Sequence, residues 1–301
     1  MEHEEQVEQN LWNQLPGKSG GERAEILLEL AKQAIYRSQG AEALALTQEA
    51  HAVYQQMGAL APTANLINAM TGISHSLYES GQTEEAIAVM NQVIDLQQAE
   101  HYPFVVDSMR AKASWLNELK QYQAAIDTYL EVVRINEIED EKQFLAHDLY
   151  MIAHCYRRLE NWEAAISHFE KSRENYKAAS MFDEVAWCDA YLADTYAELK
   201  QSEIGADLAA RTITFADIRN NNPLRCISHL ALGKAKTVLG DAAGAEVALH
   251  FARSLAEESK EWDLIRRIEV AMLNLYQVHG NTGMAEQAAA RVTALDEIIS
   301  S

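Results

Sequence analysis

The chain has 301 residues, 48 % of them hydrophobic, with 25 Lys and Arg against 45 Asp and Glu, a formal charge of −20, and only 13 Gly, 4 Pro and 3 Cys. The apolar fraction excludes a disordered acidic segment, three cysteines cannot build a disulfide framework, and no apolar run reaches the roughly 20 residues that span a bilayer. The acidic excess repels phosphate backbones and argues against nucleic acid as a partner, so the expectation is a cytoplasmic protein with neither membrane nor nucleic-acid contacts.

Residues 1–21 stand outside the pattern that follows. Met1 to Asn10 is too acidic and polar for a targeting peptide. Val7, Leu11, Trp12 and Leu15 have the spacing of a short amphipathic helix, read as an N-terminal cap. Gly17-Lys18-Ser19-Gly20-Gly21 reads as a flexible joint. It is not a phosphate loop, because no strand precedes it and the glycine spacing is wrong.

From residue 22 to 301 the sequence repeats about every 40 residues. Leu119, Leu159, Leu199 and Leu239 are each followed by a turn residue, Lys120, Glu160, Lys200 and Gly240. Gly280 continues the series, and Gly81 and Gly40 extend it backwards. Five residues beyond each turn lies a small residue: Ala45, Ala86, Ala125, Ala165, Gly205, Ala245 and Ala285. Seven units result, each read as two helices. In the fourth, Leu145, Leu149, Ile152 and Tyr156 form one apolar stripe, and Ala165, Ile166, Phe169 and Ser172 form the next. No segment alternates strictly, so no strand is expected. Pro62, Pro103 and Pro223 fall where first helices should start, the position that tolerates proline.

Close helix crossing needs small side chains. Twelve residues before the anchors stand Ser74, Ala113, Ala153, Ala193 and Gly233, and three further on are the larger Tyr36, Leu77, Leu116, Tyr156, Tyr196 and Tyr276. The first unit departs with Gln33 at the small position, the last with Leu273, and the sixth has Lys236 at the large one.

This pattern resembles the tetratricopeptide repeat, in a variant longer than the common 34 residues. The best match is Asn161-Trp162-Glu163-Ala164-Ala165-Ile166-Ser167-His168-Phe169, with Ala153 and Tyr156 upstream; Thr83 to Ile87 and Gln121 to Ile126 are similar. The resemblance implies an all-α, right-handed superhelical solenoid of antiparallel hairpins over residues 22–301, whose first helices line a concave surface. On that surface it places Asn68, Thr71, His75 and Tyr78 from the second unit and Arg110, Ser114 and Asn117 from the third. From the fourth and fifth it places His147, Tyr150, His154, Arg157, Trp187 and Asp194. Trp187 is the aromatic side chain expected to stand exposed there. Across the inward positions Arg37, Arg110, Arg157, Arg158, Lys234 and Arg267 meet Glu79, Asp107, Glu118, Asp194 and Glu198. A near-neutral groove is therefore expected in a strongly acidic chain.

The implied role is a non-catalytic scaffold or adaptor that binds a protein or peptide segment in the groove. Two alternatives stay open. One is a peptide-sensing regulator acting on a partner protein. The other is self-assembly, including a homodimer, through the last helix, Met284 to Ile299, whose Val292, Leu295, Ile298 and Ile299 read as an uncovered end face. No metal or cofactor is expected. His147 and His154 are two helical turns, roughly 10 Å, apart, and Cys155, Cys188 and Cys226 lack paired spacing. No reaction-specific constellation appears. Asp107, Asp194 and His154 have nothing that requires them to meet, and Ser114 beside His154 is a consequence of the repeat.

Overall fold

The computed structural model describes residues 2–37, 39–58, 63–102, 104–139 and 142–300, and among them there are fifteen helices and no strand. Two compact units divide the chain at Ile135 and Asn136. The first unit opens with α1 (Glu2–Gln14), which packs on α2 (Gly20–Tyr36). There α2 pairs with α3 (Gly40–Met57) and α4 (Thr63–Glu79) with α5 (Thr83–Ala99). They are followed by α6 (Val105–Glu118) and α7 (Tyr122–Glu139), whose last residues cross into the second unit.

The second unit is four consecutive hairpins. These are α8 (Lys142–Arg158) with α9 (Trp162–Ala178), α10 (Phe182–Glu198) with α11 (Ser202–Arg219), α12 (Asn222–Leu239) with α13 (Ala242–Ser259), and α14 (Trp262–Val278) with α15 (Thr282–Ser300).

The turns stop the first helices α6, α8, α10, α12 and α14 by one device. Lys120, Glu160, Lys200, Gly240 and Gly280 all sit in the left-handed region, with φ between 57° and 82°, so the next amide turns back to close the orphan carbonyls. The N–H of Asn161 bonds Tyr156 O at 2.9 Å, and that of Gln201 bonds Tyr196 O at 2.9 Å. Side-chain caps then start several second helices: Asn161 accepts from the Ala164 N–H and Asp241 from the Gly244 N–H. Lys200 adopts φ 57° at an exposed turn, where an L side chain costs about 1–2 kcal/mol. Lys200→Gly is expected to gain about 0.5–1 kcal/mol after the extra flexibility of unfolded glycine is subtracted, read as a higher midpoint in denaturant at unchanged slope.

Small residues set the crossings. A Cβ on Gly205 would lie 2.9 Å from the Ala193 carbonyl, and one on Gly233 would meet Leu249 at 2.5 Å and the Ala245 carbonyl at 3.3 Å. The twelve-residue partners thus face each other, and Ser74, Ala86, Ala113, Ala125, Ala153 and Ala165 are all buried. Leu77, Leu116 and Tyr276 are buried as well.

The first hairpin keeps the rule in a shifted frame. Ala31 and Ala43, again twelve apart, are its buried small residues, whereas Gln33 is half-buried, Ala45 exposed and Tyr36 81 % exposed. Gly40 is correspondingly not a turn: it is the buried first residue of α3, and a Cβ there would strike the Gln82 side chain. Gly20 and Gly21 likewise open α2 instead of continuing a joint. Pro223 lies in the first turn of α12; the readings of Pro62 and Pro103 fall outside the described residues. In α15 Leu295 packs inward, because α14 covers that face, and only Ile298 and Ile299 of the four expected end-face residues are exposed.

Candidate binding cleft

In the second unit the first helices of all four hairpins line one cleft of about 620 Å³. From α8 come His154, Arg157 and Arg158; from α10, Tyr191 and Glu198; from α12, Lys234; from α14, Arg266, Arg267 and Asn274; Trp162 adds an edge from α9. Beneath its floor lies Asp194. It was expected to face a partner, but it is fully buried, because cations from three other helices converge on it. Arg157 donates to one carboxylate oxygen together with Arg267 (2.7 Å), and Lys234 donates to the other at 2.7 Å. Lys234 also reaches Glu198 at 2.6 Å. One carboxylate therefore ties α8, α10, α12 and α14 together.

Burial alone would raise the Asp194 pKa, but Lys234, Arg157 and Arg267 outweigh it and hold the carboxyl well below the ordinary range. Three cations against Asp194 and Glu198 leave one net positive charge in the cluster, and the buried Nε–H of Arg157 has no hydrogen-bond acceptor. At the rim Arg158 pairs with Asp263 (3.4 Å) and Arg266 with Asp296.

An aromatic wall adjoins the cations. Phe169 is fully buried, with its ring parallel to Tyr191 at 5.9 Å. His154 packs edge-on to Tyr191 (4.3 Å), Tyr150 (4.5 Å) and Phe169 (5.2 Å). The Arg157 guanidinium lies 5.0 Å from the Tyr191 ring centre, a cation–π distance. Burial, reinforced by Arg157, Arg267 and Arg158, drives the His154 pKa well below 6.5, so its imidazole is neutral at pH 7. Its ring-proton NMR shifts are expected to remain at the neutral position as pH falls from 8 through 6.5; a titration midpoint near 6.5 would contradict this environment.

Trp187 is half-buried, not exposed, because it stacks on Tyr191 at 6.1 Å. With His147, Tyr150, Tyr176, Tyr191 and Glu184 it lines a second recess of about 340 Å³. Sequence reasoning missed Tyr191 and Arg266. Tyr191 lies one helical turn before Asp194, and that spacing was the available signal.

In the first unit the candidate residues make a different surface. Tyr78 stacks on Trp115 (5.0 Å) and donates to Glu118, while His75 meets the same indole edge-on at 5.2 Å. Asn68 is exposed and accepts from the Tyr102 hydroxyl at 3.4 Å. Thr71 turns back to its own helix at Ile67 O, and Arg110 pairs with Asp107 at 2.9 Å. Ser114 and Asn117 are half-buried on α6.

Among the described residues no three His, Cys, Asp or Glu gather as metal ligands, and no helix is long and apolar enough to cross a membrane. Cys155, Cys188 and Cys226 are buried free thiols, raised by burial to about 11, 12 and 12, which keeps them unreactive.

The architecture defines a class, stacked antiparallel helical hairpins with a short period. Profiles described as tetratricopeptide repeat match residues 67–100 and 104–178, so the chain carries tetratricopeptide repeats over those residues. No curated protein sequence matches it. Among solved structures it is similar to the apo form of RapI, at 14 % identity and TM-score 0.66, over 92 % of this chain and 98 % of that one. It is also similar to aspartyl phosphate phosphatase F from Bacillus subtilis (13 %, 0.63, over 91 % and 71 %). A Rap protein complexed with competence and sporulation factor is similar as well (15 %, 0.62, over 91 % and 77 %). At these identities the likeness establishes the fold.

Proposed function

We propose that this protein is a non-catalytic tetratricopeptide repeat adaptor that captures a peptide segment of a protein partner, and that the second unit's cleft receives an anionic group of that segment. The observation that carries this reading is the convergence of Arg157, Lys234 and Arg267 on the single buried Asp194 in a chain of charge −20. A preformed set of donors loses little ordering entropy on binding, and guanidinium groups suit carboxylates. The similarity to a Rap protein complexed with competence and sporulation factor supports a ligand-binding role for this fold. A binding role is favoured over catalysis because the cleft lining offers no Ser, Thr or Cys nucleophile and its histidine is packed against three rings. The alternative of a peptide-sensing regulator uses the same cleft.

The test is selection of short peptides from a random displayed library on the full chain. Enriched peptides are expected to carry Asp, Glu or a free C-terminal carboxylate and to lose at least about tenfold in affinity on Lys234→Met, a hot-spot-sized effect. Peptides without acidic groups, or binding indifferent to Lys234→Met, would overturn the reading.

A further inference from the structure

The recess beside the cleft carries the opposite preference. Tyr150 from α8, Tyr176 from α9, and Trp187 and Tyr191 from α10 supply its walls, and Glu184 stands at it one turn before Trp187. Trp187 and Tyr191 lie nearly parallel, with 25° between their planes, and Tyr150 stands at 74° to Tyr191, so the rings form two walls and not one flat sheet. Tyr176 is buried, and Tyr150 is half-buried and packed edge-on to Phe169. Aromatic faces carry negative quadrupole charge and attract cations within about 6 Å of the ring centre. Arg157 already does this against Tyr191 from the cleft side.

Glu184 gives the recess its sign. The acids at the core of the neighbouring cleft are neutralised: Glu198 has Lys234 and Asp194 has three cations, and Glu160 stands exposed at the cleft's turn, away from the rings of the recess. Among the described residues Glu184 forms no ion pair and no hydrogen bond. An unpaired carboxylate beside four aromatic rings is a receptor for a cation with an apolar stem. Arginine matches it better than lysine, since a planar guanidinium stacks on rings and takes a carboxylate in two parallel bonds.

We infer that this recess is a specificity pocket for an arginine side chain of the bound peptide, adjacent to the anion-receiving cleft and separated from it by Tyr191. The inference rests on the peptide-binding reading above and adds the chemistry of a second anchor. The ligand then carries opposite charges on neighbouring side chains, one to each side of Tyr191, which excludes uniformly acidic segments.

The test uses the full chain labelled with 5-fluorotryptophan, the Trp187 resonance being assigned by its loss in Trp187→Phe. N-acetyl-arginine amide and its uncharged counterpart N-acetyl-norleucine amide are titrated separately. The Trp187 resonance is expected to shift saturably with the arginine compound, at least about fivefold more tightly than with norleucine. Glu184→Gln should remove that preference at an unchanged melting temperature, and Lys234→Met should leave it intact. No shift of Trp187, equal response to norleucine, or an unaltered preference in Glu184→Gln each overturns the pocket. Failure of peptide selection with the arginine shift retained would sink the cleft reading and spare the recess. Selected acidic peptides without any arginine response would do the reverse.

Discussion

Replacing Asp194 by alanine is expected to destabilise the second unit by about 3–5 kcal/mol, the cost of stripping a buried ion cluster of its buried anion. The size follows from the geometry. Asp194 is fully buried, and its removal leaves Arg157, Arg267 and Lys234 facing one another with Glu198 alone to offset them. Burial already pulls the Arg157 pKa down even with Asp194 present. For a unit of this size the loss corresponds to a fall of roughly 6–20 °C in Tm. A second substitution separates lost charge from lost packing: Arg157→Leu added to Asp194→Ala removes one uncompensated cation and should recover part of the loss. Calorimetry of the two variants checks both statements, and a single variant that melts with the wild type would contradict the hub.

The same cluster sets the acid limb of stability. Asp194 has a folded pKa below its ordinary 3.8, so the unfolded chain binds its proton first. Its contribution is complete above about pH 4 and is lost as pH falls through the folded value. His154, buried neutral with a pKa below 6.5, acts in the same direction at higher pH. Unfolding lets it take a proton, so stability declines as pH drops below about 6.5. A two-stage loss is expected, and Asp194→Ala should remove the lower stage only.

Phe169→Ala is the second large effect, about 3–5 kcal/mol, typical of deleting a fully buried aromatic ring. Phe169 is the common floor for His154, Tyr150 and Tyr191. Its loss opens a cavity under the aromatic wall, and peptide affinity should fall together with stability. Phe169→Leu fills most of the volume and should retain more of both. A variant with unchanged denaturation midpoint would show that the ring does not support the wall.

The hairpins were legible because their cause is local. Left-handed turn residues at Lys120, Glu160 and Lys200, and small residues twelve positions apart, follow from backbone sterics and closest approach. The first hairpin was read two positions out of frame, since Ala45 and Gln33 fit a fixed spacing while Ala43 and Ala31 do the packing. Of the site, the family resemblance put Arg157, His154, Tyr150 and Trp187 at inward positions, and each borders one of the two cavities. What repeat position could not supply is which charges neutralise which. Asp194 and Arg267 are 73 residues apart in sequence, and only the stacking of α14 over α10 turns a groove-facing acid into a buried one. Glu184 was overlooked for the opposite reason, because one more glutamate in an acidic chain becomes distinctive only when its neighbours prove to be rings and not lysines.

On the proposed reading the cations around Asp194 form a ready anion receptor. Titration calorimetry of one library-selected acidic peptide against wild type and Lys234→Met, with the peptide's acidic residue also changed to its amide, tests it most directly. The prediction is a loss of at least about 1.4 kcal/mol, tenfold, for either change alone and little further loss for both together, measured at a temperature where the variant is fully folded. Equal affinity for the acid and amide peptides, or additive losses from the two changes, would contradict it.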